Sequence, residues 1–215
     1  MIYKNIPEEL KEKEIYGAWR LENTKERSRK VPYSLVTWNK AQVNVPSDFT
    51  NFDKAIEKQS FYDGLAIRID EDMIAIDLDH CVIDGEISDW AMEILEHFPN
   101  AYIEYSPSGT GLHILCYYYK KYDIVSYKLK GKNVEVYSSG VTNRFFTVTG
   151  NVYQQGELVT EDDVIKWLID TYMKKETMPE TFGESSEVKS YLSDESVTQN
   201  AVNGKKFTRL WNGDI

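Results

Sequence analysis

The chain has 215 residues, 41% of them hydrophobic and 28% charged, and a formal net charge of −10. That length supports one sizeable core plus a tail, and the composition is that of a soluble globular protein. No apolar run approaches membrane-spanning length, and the opening MIYKNIPEELKEKE is too charged for a signal peptide, so no membrane partner and a cytoplasmic setting are expected.

Residues 15–22, IYGAWRLE, read as a strand, NTKERSRK as a polar basic loop, and VPYSLV as a second strand with Pro32 at a sheet edge. Thr50 followed by Asp53 resembles a capping box and predicts a helix over 51–59. DGLAIRI and MIAIDLD predict two strands joined by the tight turn Asp70-Glu71-Asp72. Ile87, Trp90, Ile94, Leu95 and Phe98 recur at helical spacing. AYIEYS, GLHILCYYY, NVEVYSS and RFFTVTG predict four strands punctuated by Gly, Asn and Ser. Thr160 with Asp163 opens a helix running to Lys174. Periodicity is then lost: residues 176–200 read as a linker, and 201–215, with NGKKFTRLWNGDI, as the start of another domain. Residues 1–175 thus form an α/β (α+β) domain in which helices cover part of the sheet, with a βαβ-like step from IAIDLD to AYIEYS.

The most informative stretch is IAIDLDH. Residues two apart on a strand share a face, so Ile74, Ile76 and Leu78 face one way and Asp77 and Asp79 the other. Two carboxylates that close repel unless a proton or a hard cation lies between them, and Mg²⁺ or Mn²⁺ resolves the repulsion. A strand end whose aspartates meet water gives the same pattern. By the same alternation Val134 and Val136 face away from Glu135, which becomes a third carboxylate if the polar face is shared. Three carboxylates can hold two metals for phosphoryl transfer. In SPSGTGLHI, Gly109 and Gly111 lie in a turn whose backbone amides suit a phosphate, and His113 follows on the face opposite Leu112, Ile114 and Cys116. Arg144 reads equally as a phosphate clamp or an exposed edge residue, and Lys30, beside Arg27 and Arg29, as a phosphate contact or a solvated charge. The run Tyr117-Tyr118-Tyr119 offers either a stacking surface or alternating core and surface rings. Cys81 and Cys116 lack metal-ligand spacing and read as buried reduced thiols.

Charge is distributed unevenly: residues 1–40 carry +3 and 112–150 carry +4, flanking residues 41–111 at −12. The whole is too acidic for a uniformly basic nucleic-acid binder, but a metal site taking anionic substrates yields this pattern, as does chance scatter.

In this order the motifs resemble the archaeo-eukaryotic primase superfamily, and more closely the primase-polymerase domains of phage and plasmid replication proteins. Asp77 and Asp79 match the DxD motif, Ser106 through His113 the Ser/Gly turn ending in His, and Glu135 the later acidic residue, where Asp is more usual. GAWRLE…KVPY, NRFFTVTG and the terminal KKFTRLWNGD extend the similarity. The resemblance implies a primase-polymerase fold whose RRM-like mixed sheet carries the active site, with helices on the other face. It implies a metal-dependent nucleotidyltransferase making and extending primers on a single-stranded DNA template from dNTPs or NTPs. Asp77, Asp79 and Glu135 would bind the two metals. Ser106, Ser108, Gly109, Gly111, His113, Arg144 and Lys30 would bind the nucleotide. A C-terminal helical, often helicase, region is the implied partner, in the cytoplasm of a phage or plasmid host. A carboxylate-metal nuclease or phosphohydrolase, and a non-catalytic single-strand-binding initiator module, are the alternatives.

Overall fold

A computed structural model describes residues 2–23, 27–70, 72–120, 124 and 127–175. In chain order the elements are α1 (Glu8–Lys11), β1 (Tyr16–Asn23), β2 (Ser28–Tyr33), α2 (Phe52–Lys58), β3 (Gly64–Arg68), β4 (Met73–Leu78), β5 (Val82–Ile83), β6 (Glu86–Ile87) and α3 (Asp89–Glu96). They continue as β7 (Tyr102–Tyr105), β8 (Leu112–Tyr117), β9 (Tyr127–Lys128), β10 (Val134–Ser138), β11 (Phe145–Val148), β12 (Val152–Gln154), α4 (Asp162–Tyr172) and β13 (Lys174–Lys175). Two sheets dominate. One has four strands in the order β11-β3-β1-β2, and the other five in the order β10-β4-β8-β7-β12.

The fold is α+β, and neighbouring strands within both sheets pair antiparallel. The βαβ step is present in split form: β4 and β7 run parallel, joined through α3, with β8 inserted between them. Pleat alternation then builds two cores on one sheet. Ile74, Ile76, Leu78, Ile103 and Ile114 pack with Ala91, Ile94 and Leu95 of α3 and Ile165, Leu168 and Ile169 of α4. From the other face Met73, Ala75, Tyr102 and Leu115 pack with Tyr16, Leu65, Ile67 and Phe146 of the four-stranded sheet. Strand β4 is covered on both sides, which accounts for its unbroken apolar run up to Asp77.

Several elements start elsewhere than the sequence pattern predicts. Asn51, not Thr50, caps α2, its side chain accepting from the Lys54 amide at 3.1 Å. Thr50 is held in a bridge to Tyr16 by two backbone hydrogen bonds of 2.9 Å. Helix α4 begins at Asp162 without a side-chain cap, because Thr160 bridges Tyr117 and the Asp162 carboxylate accepts from the Tyr119 amide. Ser28, Arg29 and Lys30 of the expected loop pair with β1 and belong to β2, the sheet edge where Pro32 sits. Strands β3 and β4, neighbours in sequence, join different sheets: β1 and β11 occupy both edges of β3, and β8 and β10 both edges of β4. Cys81 and Cys116 are buried and free. Among the described residues no helix is long and apolar enough to cross a membrane. The expected linker (176–200) and following segment (201–215) lie outside the described residues.

Ile94 is fully buried between α3 and the sheet, whereas Met92 on the same helix is 37% exposed. Ile94→Ala is expected to cost about 2–5 kcal/mol, read from the urea midpoint. Met92→Ala should change it by less than about 0.5 kcal/mol.

Candidate metal and nucleotide site

Register places four polar residues in one row across the five-stranded sheet. Glu135 on β10 lies opposite Asp77 on β4, Asp77 opposite His113 on β8, and His113 opposite Glu104 on β7. Directly opposed residues share a face with Cβ atoms about 5 Å apart, so these four side chains are successive neighbours. Asp79 lies in the turn that follows β4, its amide donating to the Asn133 carbonyl at 2.8 Å. Asp77, His113 and Glu135 therefore share a face.

Asp77 carries the sharpest electrostatic signature. Burial pushes its carboxyl above the ordinary aspartate range; the Asp79 and Glu135 charges push the same way, and His113 and Lys30 oppose them. One of its oxygens, Oδ1, is buried without a hydrogen-bond partner, His113 Nε2 lying 3.7 Å away. An orphaned buried carboxylate oxygen beside a second aspartate suits a hard divalent cation. As they stand, no three His, Cys, Asp or Glu side chains among the described residues converge closely enough to hold a metal ion. The Glu135 carboxylate meets Lys130, the Tyr137 hydroxyl at 2.9 Å and Arg144 at 2.9 Å. Burial raises its pKa, but those donors and cations outweigh burial and hold it below the usual glutamate range.

Within the turn from Ser106 to Gly111 the amides at and beside the two glycines have internal acceptors. Gly109 N–H donates to the Ser106 carbonyl, Gly111 N–H to the Ser106 hydroxyl and Thr110 N–H to the Ser108 hydroxyl. The expectation that these amides face a phosphate is corrected accordingly. Outward the turn offers the exposed hydroxyls of Ser108 and Thr110. Gly111 has a different reason to be glycine: a Cβ there would lie 2.7 Å from the Leu78 carbonyl, so it lets the turn approach the DxD strand end. Gly109 sits at φ +74, where a side chain would be strained. Lys30 reaches the same region, with Nζ 5.5 Å from the Trp19 ring. Partial burial there lowers its pKa, and the Asp77 and Asp79 charges oppose that shift. Arg144 lines a cleft of about 460 Å³ with Lys128 and Lys130, beside Glu135.

No family model matches the chain. It is 31% identical over 158 residues, 69% of its length, to the DNA primase-polymerase of Nitratiruptor phage NrS-1. This is a phage-type primase-polymerase domain. The chain spans 21% of the length of that relative.

Within this primase-polymerase domain His113 is more enclosed than its sequence position suggests. Its side chain is 2% exposed, packs against the Phe146 ring at 4.4 Å, and turns Nδ1 toward Glu104 Oε1 at 3.3 Å. Glu104 is the residue the sequence reading missed. It is fully buried and accepts from the Tyr102 hydroxyl at 2.7 Å and from the Thr149 and Gly150 amides, each at 2.8 Å. It thereby anchors His113, which faces Asp77 with its other nitrogen. The available signal was the lone acid in AYIEYS, but only register puts it beside His113. Of the tyrosine run, Tyr118 is buried, Tyr119 is 57% exposed, and Tyr117 donates its hydroxyl to Glu9. That is the alternating arrangement, with an acid beside it.

A carboxyl whose folded pKa is raised contributes stability only while protonated, below its unfolded pKa, and loses it as pH rises through the folded value. In chelator, Asp77→Asn and the parent chain should therefore be equally stable near about pH 3. At about pH 8 the variant should be the more stable in urea unfolding, and Mn²⁺ should close the gap by stabilising only the parent. Removing the acceptor in Glu104→Ala strands four donors and is expected to cost about 3–5 kcal/mol in the same measurement.

Proposed function

We propose that this domain performs template-directed nucleotidyl transfer, making primers and extending them on single-stranded DNA from dNTPs or NTPs. The observation that carries this reading is the pairing of Asp77 and Asp79 on one strand end with Glu135 directly opposite Asp77, in a relative of a phage DNA primase-polymerase. Asp77 and Asp79 are the primary ligands for two divalent cations, Mg²⁺ or Mn²⁺, and the orphaned Asp77 oxygen supports that assignment. When bound, the metals favour an ionised primer hydroxyl as nucleophile and neutralise charge on the departing pyrophosphate.

The protein's own groups do the rest. Lys130 and Arg144 pair with Glu135 in the free chain, with side chains 55% and 53% exposed. An incoming triphosphate competes for both cations, which frees Glu135 to turn toward Asp77 as third ligand. Lys30 approaches from β2 as a further phosphate contact. The hydroxyls of Ser106 and Ser108, on a turn shaped by Gly109 and Gly111, complete the nucleotide site. His113, anchored by Glu104, directs Nε2 to the Asp77 side, where it orients the carboxylate and can meet the triphosphate. The same proposal takes a helicase region as partner, in the cytoplasm of a phage or plasmid host.

The test is incubation with primed and unprimed single-stranded DNA, labelled nucleotides, and Mg²⁺ or Mn²⁺. The parent chain should lengthen the strand, and Asp77→Ala/Asp79→Ala should lose at least about a hundredfold in incorporation while remaining folded. Full activity in that double variant overturns the site. Shortening of the strand indicates the nuclease alternative, and binding indifferent to metal and nucleotide indicates the non-catalytic one.

A further inference from the structure

An aromatic cluster that nucleotidyl transfer does not use lies where the chain leaves β2. The loop from Tyr33 to Lys40 closes with Ser34 N–H donating to the Asn39 carbonyl at 2.8 Å and Trp38 N–H to the Ser34 carbonyl at 3.0 Å. The Ser34 hydroxyl accepts from the Val36 and Thr37 amides. Trp38 is thereby held at φ +63, a region bulky side chains rarely occupy. Such an outlier persists only where surrounding structure over-determines it, and it frequently marks a functional surface. Here it projects an indole that is 49% exposed beside Phe61, which is 64% exposed.

The rings form a continuous series. Centroid separations are 6.0 Å for Phe61–Trp38, 6.4 Å for Trp38–Tyr62 and 5.5 Å for Tyr62–Tyr33. Two cations are fixed over them. The Arg20 guanidinium lies 4.5 Å from the Tyr62 ring and 5.4 Å from the Tyr33 ring, and Lys58 Nζ lies 5.3 Å from the Trp38 ring. Each is tied by a backbone carbonyl, Arg20 to Phe61 at 2.7 Å and Lys58 to Leu35 at 2.8 Å. The acids at the rim are engaged: Glu22 with the Tyr33 hydroxyl and Lys40, Asp63 with the Leu21 amide.

A partner that is only apolar gains nothing from cations held over the ring faces. Unstacked bases on a phosphate backbone use both features, since every base has a π-face and every linkage a negative charge. Arg20, Tyr33 and Trp38 come from residues 1–40, which carry +3, and Lys58, Phe61 and Tyr62 from the acidic stretch 41–111, where Lys58 is one of only three basic residues. We propose that Trp38, Phe61, Tyr62 and Tyr33, with Arg20 and Lys58, form a stacking platform for single-stranded nucleic acid. It rests on the reading above only for the strand's identity as template DNA. β2, which sends Lys30 toward the aspartates, also carries Tyr33.

The test uses the full chain and a fluorescently labelled oligothymidylate, followed by anisotropy in chelator without nucleotide. Metal and catalysis are thus absent, and a failure of nucleotidyl transfer leaves the result intact. Trp38→Leu and Phe61→Ser should each weaken binding roughly 5- to 150-fold with the thermal midpoint little changed, and Trp38→Phe should retain most of the affinity. Lys58→Met should reduce the slope of log affinity against log salt by about 0.7. Binding within about twofold of the parent in both Trp38→Leu and Phe61→Ser overturns the platform. So does a parent chain that binds no oligonucleotide but sediments as a dimer dissociated by Trp38→Leu, which would make the surface a self-contact.

Discussion

A carboxylate withdrawn from water at the end of a doubly covered strand is the constraint on which the site depends. Strand β4 is packed on one face by α3 and α4 and on the other by the second sheet, so Asp77 meets both a low-dielectric interior and its own neighbours' charge. Ionised there with one oxygen unpartnered, it is unfavourable by itself. A divalent cation relieves burial and repulsion together. Under the metal-site proposal, the cost of that carboxylate in the free protein would be the same term that favours binding of the cation.

The neighbours of Asp77 are arranged to tolerate that charge without cancelling it. On one side Glu104, satisfied by two backbone amides, a tyrosine hydroxyl and His113, fixes the histidine beside Asp77. On the other, Glu135 is held by Lys130, Arg144 and Tyr137. Glu104 is buried and fully engaged, a rigid support, whereas the partners of Glu135 are long, half-exposed cations with low entropic commitment. The row is firm at its histidine end and adjustable at its glutamate end, as the proposed triphosphate site requires.

Much of this was legible in sequence where a short-range rule applies. Period-two alternation assigned Asp77, Glu135 and His113 to their faces, and helical spacing found the buried stripe of α3. Local rules failed where backbone partners decided the outcome. Thr50 is an acceptable N-cap residue, though a weaker one than Asn51, and its amide and carbonyl are claimed by Tyr16. The amides around Gly109 look available to a phosphate, yet turn closure consumes them. MIAIDLD and DGLAIRI sit side by side in the chain, and no local feature says that they enter different sheets.

The sequence by itself determined which way Asp77, His113 and Glu135 point from their own strands, because alternation is a property of a single segment. It also carried the kinship with a phage primase-polymerase, because motif order survives in the linear chain. Only the tertiary structure decided that Glu135, Asp77, His113 and Glu104 form one row, since register is set by pairing between segments as far apart as β7 and β10. It likewise decided that Glu104 is a buried anchor and Trp38 an exposed ring, because burial depends on what the rest of the chain places against a residue.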